Sequence, residues 1–248
     1  MTVANIATAI GINIVSALIG GLLTFGWQRS KRKLKNARTA EFLGIGAAKN
    51  CSITLNISPR GIASPLPGKR VMTHNDALAA LQIYRILDRL GGSVDLFEPD
   101  SQLPADRVEF CIGGPRSNSR TERLLGQYVP GVAMQDTLSS PPRSDPKKYP
   151  QDIIVENGRT RYIAEREQRE YAILARISRQ DIGKGNIFMV AGQTSNGNLA
   201  AVHFLESNLS GLRRRFGKRG FFLVIRMTGW DNNTQQYELV QDIVGWEI

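Results

Sequence analysis

Residues 108–118, Val-Glu-Phe-Cys-Ile-Gly-Gly-Pro-Arg-Ser-Asn, decide how this 248-residue chain folds. Five residues rich in β-branched and aromatic side chains stop at a glycine pair, the pattern of a short buried strand entering a tight turn. Asn118 then precedes a run that reads as a helix to about Gln127. A second stretch repeats the design. Phe110 to Asn118 aligns with Phe188 to Asn196 at a constant offset of 78 residues: an apolar strand, a turn of small residues, Ser-Asn, then a helix.

Such turns suit a phosphate. Glycine lets the backbone approach a ligand, Ser and Asn cap the helix, and free N–H groups at the helix start face an anion. Gly113, Gly114, Pro115, Arg116, Ser117 and Asn118 of the first turn are therefore candidate ligand contacts. Gly192, Thr194, Ser195 and Asn196 of the second join them. Arg116 adds a guanidinium suited to a bidentate contact with phosphate or carboxylate. The same residues also shape turns and cap helices where no ligand binds.

Working outward, residues 52–58 alternate and are β-branched, as a strand does, and a loop rich in Pro and Gly follows to residue 69. Ala77, Leu78, Leu81, Ile83, Tyr84, Ile86, Leu87 and Leu90 form an apolar helical face. The helix is entered through Thr73 or Asn75 and stopped by Gly91-Gly92. Strands are expected at 94–98, 171–177 and 187–190. A hairpin is expected at 152–163 around Asn157-Gly158, after a loop at 137–151, and a terminal β pair at 221–227 and 237–243. A long helix over 196–216 ends in Arg213, Arg214 and Arg215, which suits the helix dipole. Strands alternating with helices, then an antiparallel margin, predict an α/β fold with a Rossmann-like mixed sheet over residues 51–248.

His74 and Asp76 open the first long helix, on a loop expected at the carboxyl edge of the sheet. His74 is a candidate ligand contact and Asp76 a candidate general base; the alternative is an exposed His74 and an Asp76 that caps the helix. Glu156 and Glu165 in the hairpin region are further acid/base candidates. His203 sits beside Phe204 and Leu205 and reads as core. With His74, His203, Cys51 and Cys111 as the only histidines and cysteines, no metal site is expected and a disulfide scaffold is excluded.

The N-terminus carries no charge before Arg29, and residues 5–27 are almost wholly apolar or small. About 20 such residues cross a bilayer, so a transmembrane helix is expected within residues 1–28. Arg29, Lys31, Arg32, Lys33, Lys35 and Arg38 follow in a basic juxtamembrane linker over 29–50. By the positive-inside rule, the N-terminus is expected outside the inner membrane and the rest of the chain in the cytoplasm. The same cations are expected to meet anionic lipid headgroups. Asn13, Ala17 and Gly21 share one stripe and suggest a homo-oligomer. Six of the ten net positive charges lie at 29–38, so the remainder carries only +4, and no nucleic-acid partner is expected.

The segments IGGPRSNSRT, YAILARIS and FMVAGQTSNGNLAAVHFL resemble an uncharacterised group of bacterial α/β domains. Their pattern is a GGPxxNxxT turn followed by an aliphatic AG turn and an AA-containing helix. The likeness covers roughly residues 74–205 and implies a Rossmann-like fold. Gly113, Gly114, Pro115, Ser117 or Asn118, and Thr121 stand at the matching positions; no catalytic residue carries over. A membrane segment joined to such a domain is similar in layout to prokaryotic nucleotide-sensing immune effectors. Three functions follow as expectations: a sensor of a nucleotide-derived anion, an enzyme hydrolysing a nucleotide or glycosidic bond, or an interaction scaffold.

Overall fold

The computed structural model describes residues 24–45, 50–55, 72–136, 151–155, 159–165, 168–179, 185–228 and 236–243. Within them the chain builds one seven-stranded mixed sheet and a separate three-stranded antiparallel sheet. The strands of the large sheet are β1 (Asn50–Thr54), β2 (Ser93–Phe97), β3 (Val108–Ile112), β7 (Arg169–Ile177), β8 (Ile187–Gly192), β9 (Phe221–Thr228) and β10 (Gln236–Ile243). The small sheet comprises β4 (Ala133–Asp136), β5 (Gln151–Val155) and β6 (Thr160–Tyr162). Helices are α1 (residues 24–43), α2 (His74–Arg89), α3 (Ser119–Tyr128) and α4 (Ser195–Phe216).

The large sheet runs β10-β9-β7-β8-β3-β1-β2. Strands β2, β1, β3 and β8 run parallel to one another, while β7 pairs antiparallel with β8 and β9, and β9 with β10. The expected α/β mixed sheet with an antiparallel margin is thus present. β3 and β8 lie side by side with Ile112 opposite Val190 and Phe110 opposite Phe188. The offset of 78 in the sequence is the register of this pairing.

The central strands are apolar on both faces because both are covered. On one face Cys51, Ile53, Phe110, Ile112, Phe188 and Val190 meet α2, α4 and the end of α1. On the other, Cys111, Ile173, Met189 and Val224 meet α3 and the small sheet. β4 was not expected: its Ala-Met-Gln-Asp sequence is too short to show alternation. Its pairing with β5 places the expected hairpin in a sheet of its own. The strand expected at 52–58 begins two residues earlier and ends at Thr54, and residues 56–71 lie outside the described residues, as do 137–150.

The N-terminal transmembrane helix is corrected. Among the described residues no helix is long and apolar enough to cross a membrane. From Thr24 the described helix, α1, runs without a break through Arg29, Lys31, Arg32, Lys33, Lys35 and Arg38, and a helix of that charge density does not cross hydrocarbon. Residues 1–23, with Asn13, Ala17 and Gly21, lie outside the described residues. The expected linker is structured too. Phe42, Leu43 and Ile45 are buried in the core, where Arg176 donates to the carbonyl of Phe42 at 3.0 Å and stacks on its ring.

Candidate functional site

Helices α2, α3 and α4 all begin at one edge of the large sheet, beyond the carboxyl ends of its parallel strands. α3 packs on one face, and α2 and α4 on the other. β3 therefore sends its helix to the face opposite those of its two neighbours, β1 and β8. Crevices open where adjacent helices leave to opposite faces, and ligands of open α/β sheets bind there.

Six residues, Gly113 to Asn118, separate β3 from α3. Gly113 stands at φ +113°, a conformation that favours glycine, and its N–H continues the ladder to Val190 O at 2.8 Å. The Ser117 and Asn118 amides close the turn onto Gly114 O. Asn118 is fully buried and caps α3: its Oδ1 accepts from the amides of Arg120 and Thr121, and its Nδ2 donates to Ile112 O at 2.8 Å. Thr121 donates to Gly113 O at 2.7 Å. Pro115 and Ser117 are half-buried, and Arg116 is exposed at the rim.

The β8 turn is built differently. Only Gln193 and Thr194 separate β8 from α4. A Cβ on Gly192 would meet the backbone of Gly197 and Asn198 at 2.4–2.6 Å, so the helix start lies directly on the strand end. The Gly192 amide donates to Asn198 Oδ1. Thr194 is the N-cap, accepting from Asn196 N at 3.2 Å, and Ser195 begins the helix. Gln193 ties the turn to β7 and β6 through the Tyr171 amide and the Tyr162 carbonyl, each at 2.8 Å.

The start of α2 joins that of α4. Thr73 caps α2 and hydrogen-bonds Asp76 Oδ2 at 2.8 Å, while Asn198 donates to Asp76 Oδ1 at 2.7 Å. Asn75 pairs with Asn196. Asp76 is buried with both oxygens engaged, and it acts here as a tie between two helices. His74 is exposed at the same helix start.

A further carboxylate stands one strand away. Glu170 of β7 lies at the level of Thr194, whose hydroxyl donates to Glu170 Oε2 at 2.7 Å. It keeps 5% of its surface. Burial pushes its carboxyl up to about 7, against a smaller lowering by the Thr194 hydrogen bond. Sequence reading missed Glu170, Gly197 and Asn198. The signal for Glu170 was an acid on the face of β7 shared with Ala172 and Leu174.

The other candidates scatter. Glu165 pairs with Arg169 and Glu156 lies outside the described residues. His203 is half-buried, sharing a 3.0 Å hydrogen bond with Gln82 and stacking on Tyr237. Cys111, beneath the β3 turn, is pushed up to about 12 by burial and by Glu109, so it offers no thiolate at neutral pH. Comparison with known proteins finds no family model, no curated protein and no solved structure that matches the chain.

Proposed function

We propose that the chain is a binding module for an anionic, nucleotide-like ligand seated at the carboxyl edge of β3 and β8, with a sensing or signalling role. The observation that carries this reading is the glycine turn of β3 opening onto the N-terminus of α3, at the sheet edge where α2 and α4 also begin. The start of α3 contributes a partial charge of roughly +0.5. Gly113 and Gly114 leave the backbone of that turn without side chains in the way, and Arg116 stands at its rim. Ser117 supplies a hydroxyl, and Ser195 and Asn196 lie across the crevice on α4.

A thermal-shift screen of the full chain against nucleotides, dinucleotide cofactors and cyclic oligonucleotides tests it. A ligand at 100 times its dissociation constant adds about 2.7 kcal/mol of stability. The expected result is a shift that disappears when Arg116 and Ser117 are both alanine, in a variant that melts like the parent. A shift that survives in that variant counts against the reading, as does no shift with any compound. Product analysis of the same mixtures separates binding from hydrolysis: consumption of the ligand would support the enzyme reading instead.

A further inference from the structure

We propose that Glu170, at the start of α4, forms a hydroxyl-binding subsite, so that the ligand of this edge carries a pentose rather than being a bare anion. The inference rests on the binding reading above and narrows it to a sugar phosphate or a nucleotide.

Glu170 is an expensive residue to keep. It is nineteen-twentieths buried, and among the described residues no cation pairs with it: the neighbouring Arg169 is paired with Glu165. Its only hydrogen bond among the described residues comes from Thr194 to Oε2; no described residue donates to Oε1, which is not sealed from solvent. A largely buried acid with no cation beside it among the described residues costs stability that Leu would not, which marks it as a group held for a ligand.

The surroundings define what the ligand offers. The N-terminus of α4 by itself would favour an anion, but a carboxylate beside it repels one. A neutral group that donates a hydrogen bond satisfies both, and a sugar hydroxyl is such a group. The anion then belongs at the β3 turn. β8 lies between β3 and β7, so the two subsites are about two strand spacings, roughly 10 Å, apart. A pentose 5-phosphate with a hydrogen bond of about 3 Å at either end has that reach.

The test is calorimetric titration of the full chain with inorganic phosphate and with ribose 5-phosphate. Ribose 5-phosphate is expected to bind at least about tenfold more tightly, since a site built around a hydroxyl rejects a ligand that lacks one. Glu170→Gln keeps an acceptor for Thr194 but puts an amide where the free oxygen stood. It is expected to bring the ratio below about threefold, with phosphate affinity held within about twofold and an undiminished melting temperature. Equal binding of the two probes by the parent, or a ratio that survives Glu170→Gln, overturns the inference alone. If neither probe binds at millimolar concentration, the anion-binding reading fails and this one with it.

Discussion

The β3 and β8 turns align residue for residue in sequence and lie side by side in the sheet, yet their glycines serve different physical ends. After β3 the chain takes six residues before its helix, and Gly113 adopts a left-handed φ to begin that detour. After β8 it takes two, and Gly192 is there because α4 presses on it. The caps differ as well. Asn118 closes α3, whereas its counterpart Asn196 is already inside α4, whose cap is Thr194. A shared motif therefore fixed the pairing register but not the role of each residue in it.

The comparison is sharpest at the glycines. Gly192→Ala should cost about 3–5 kcal/mol, because its Cβ can be accommodated only by moving α4. Gly113→Ala should cost about 1–2 kcal/mol, from the backbone penalty of its positive φ. Urea unfolding midpoints measure both, and equal losses would break the distinction.

Glu170 gives the next largest effect, and its sign is set by burial. Its folded value of about 7 lies above the ordinary 4.5, so between those pH values the folded chain holds a proton that the unfolded chain has released. Stability from this group is full below about pH 4.5, falls as pH rises to about 7, and stays low above it. Glu170→Gln should remove that decline and gain up to about 3 kcal/mol at pH 8 relative to pH 4. Parallel urea curves of variant and parent across this range would contradict the assignment.

The caps come third. Asn118→Ala should cost about 2 kcal/mol, losing two capped amides and the bond to Ile112 O. Asn196→Ala should cost about 0.5 kcal/mol, its partner being Asn75 at a half-buried position. The aligned motif alone would predict equal values. A coupling of Asp76 with Asn198 is also expected, at about 1 kcal/mol in a double-mutant cycle of Asp76→Asn and Asn198→Ala. Additive losses would show that α2 and α4 are tied elsewhere.

Much of this was legible in the sequence. The strand at 108–112, the Thr73 entry to α2, the Gly91 stop and the terminal β pair are written locally, in periodicity and in residues with special backbone needs. What stayed hidden depends on tertiary contact. The separate small sheet follows from β4, four residues with no pattern of their own. Glu170 gains its character only by lying under Thr194, 24 residues away, and Gly197 only by touching Gly192. Asp76 read equally as a cap or a base, and only the reach of Asn198 from another helix shows both its oxygens engaged. The apolar N-terminal run suggested a membrane span, while the tertiary fate of the basic segment after it, a helix ending in the core at Phe42 and Leu43, left no local mark.

In the proposed site the β3 turn receives the ligand, while Gly192 and Gly197 serve packing. Amide resonances of the full chain, followed as a thermal-shift hit is added, test it most directly. The amides of Gly114, Arg116 and Ser119 are expected to move first and furthest, while that of Gly192, already bonded to Asn198, stays nearly in place. Perturbations centred on Gly192 and Gly197, or confined to surfaces away from this edge, would contradict it.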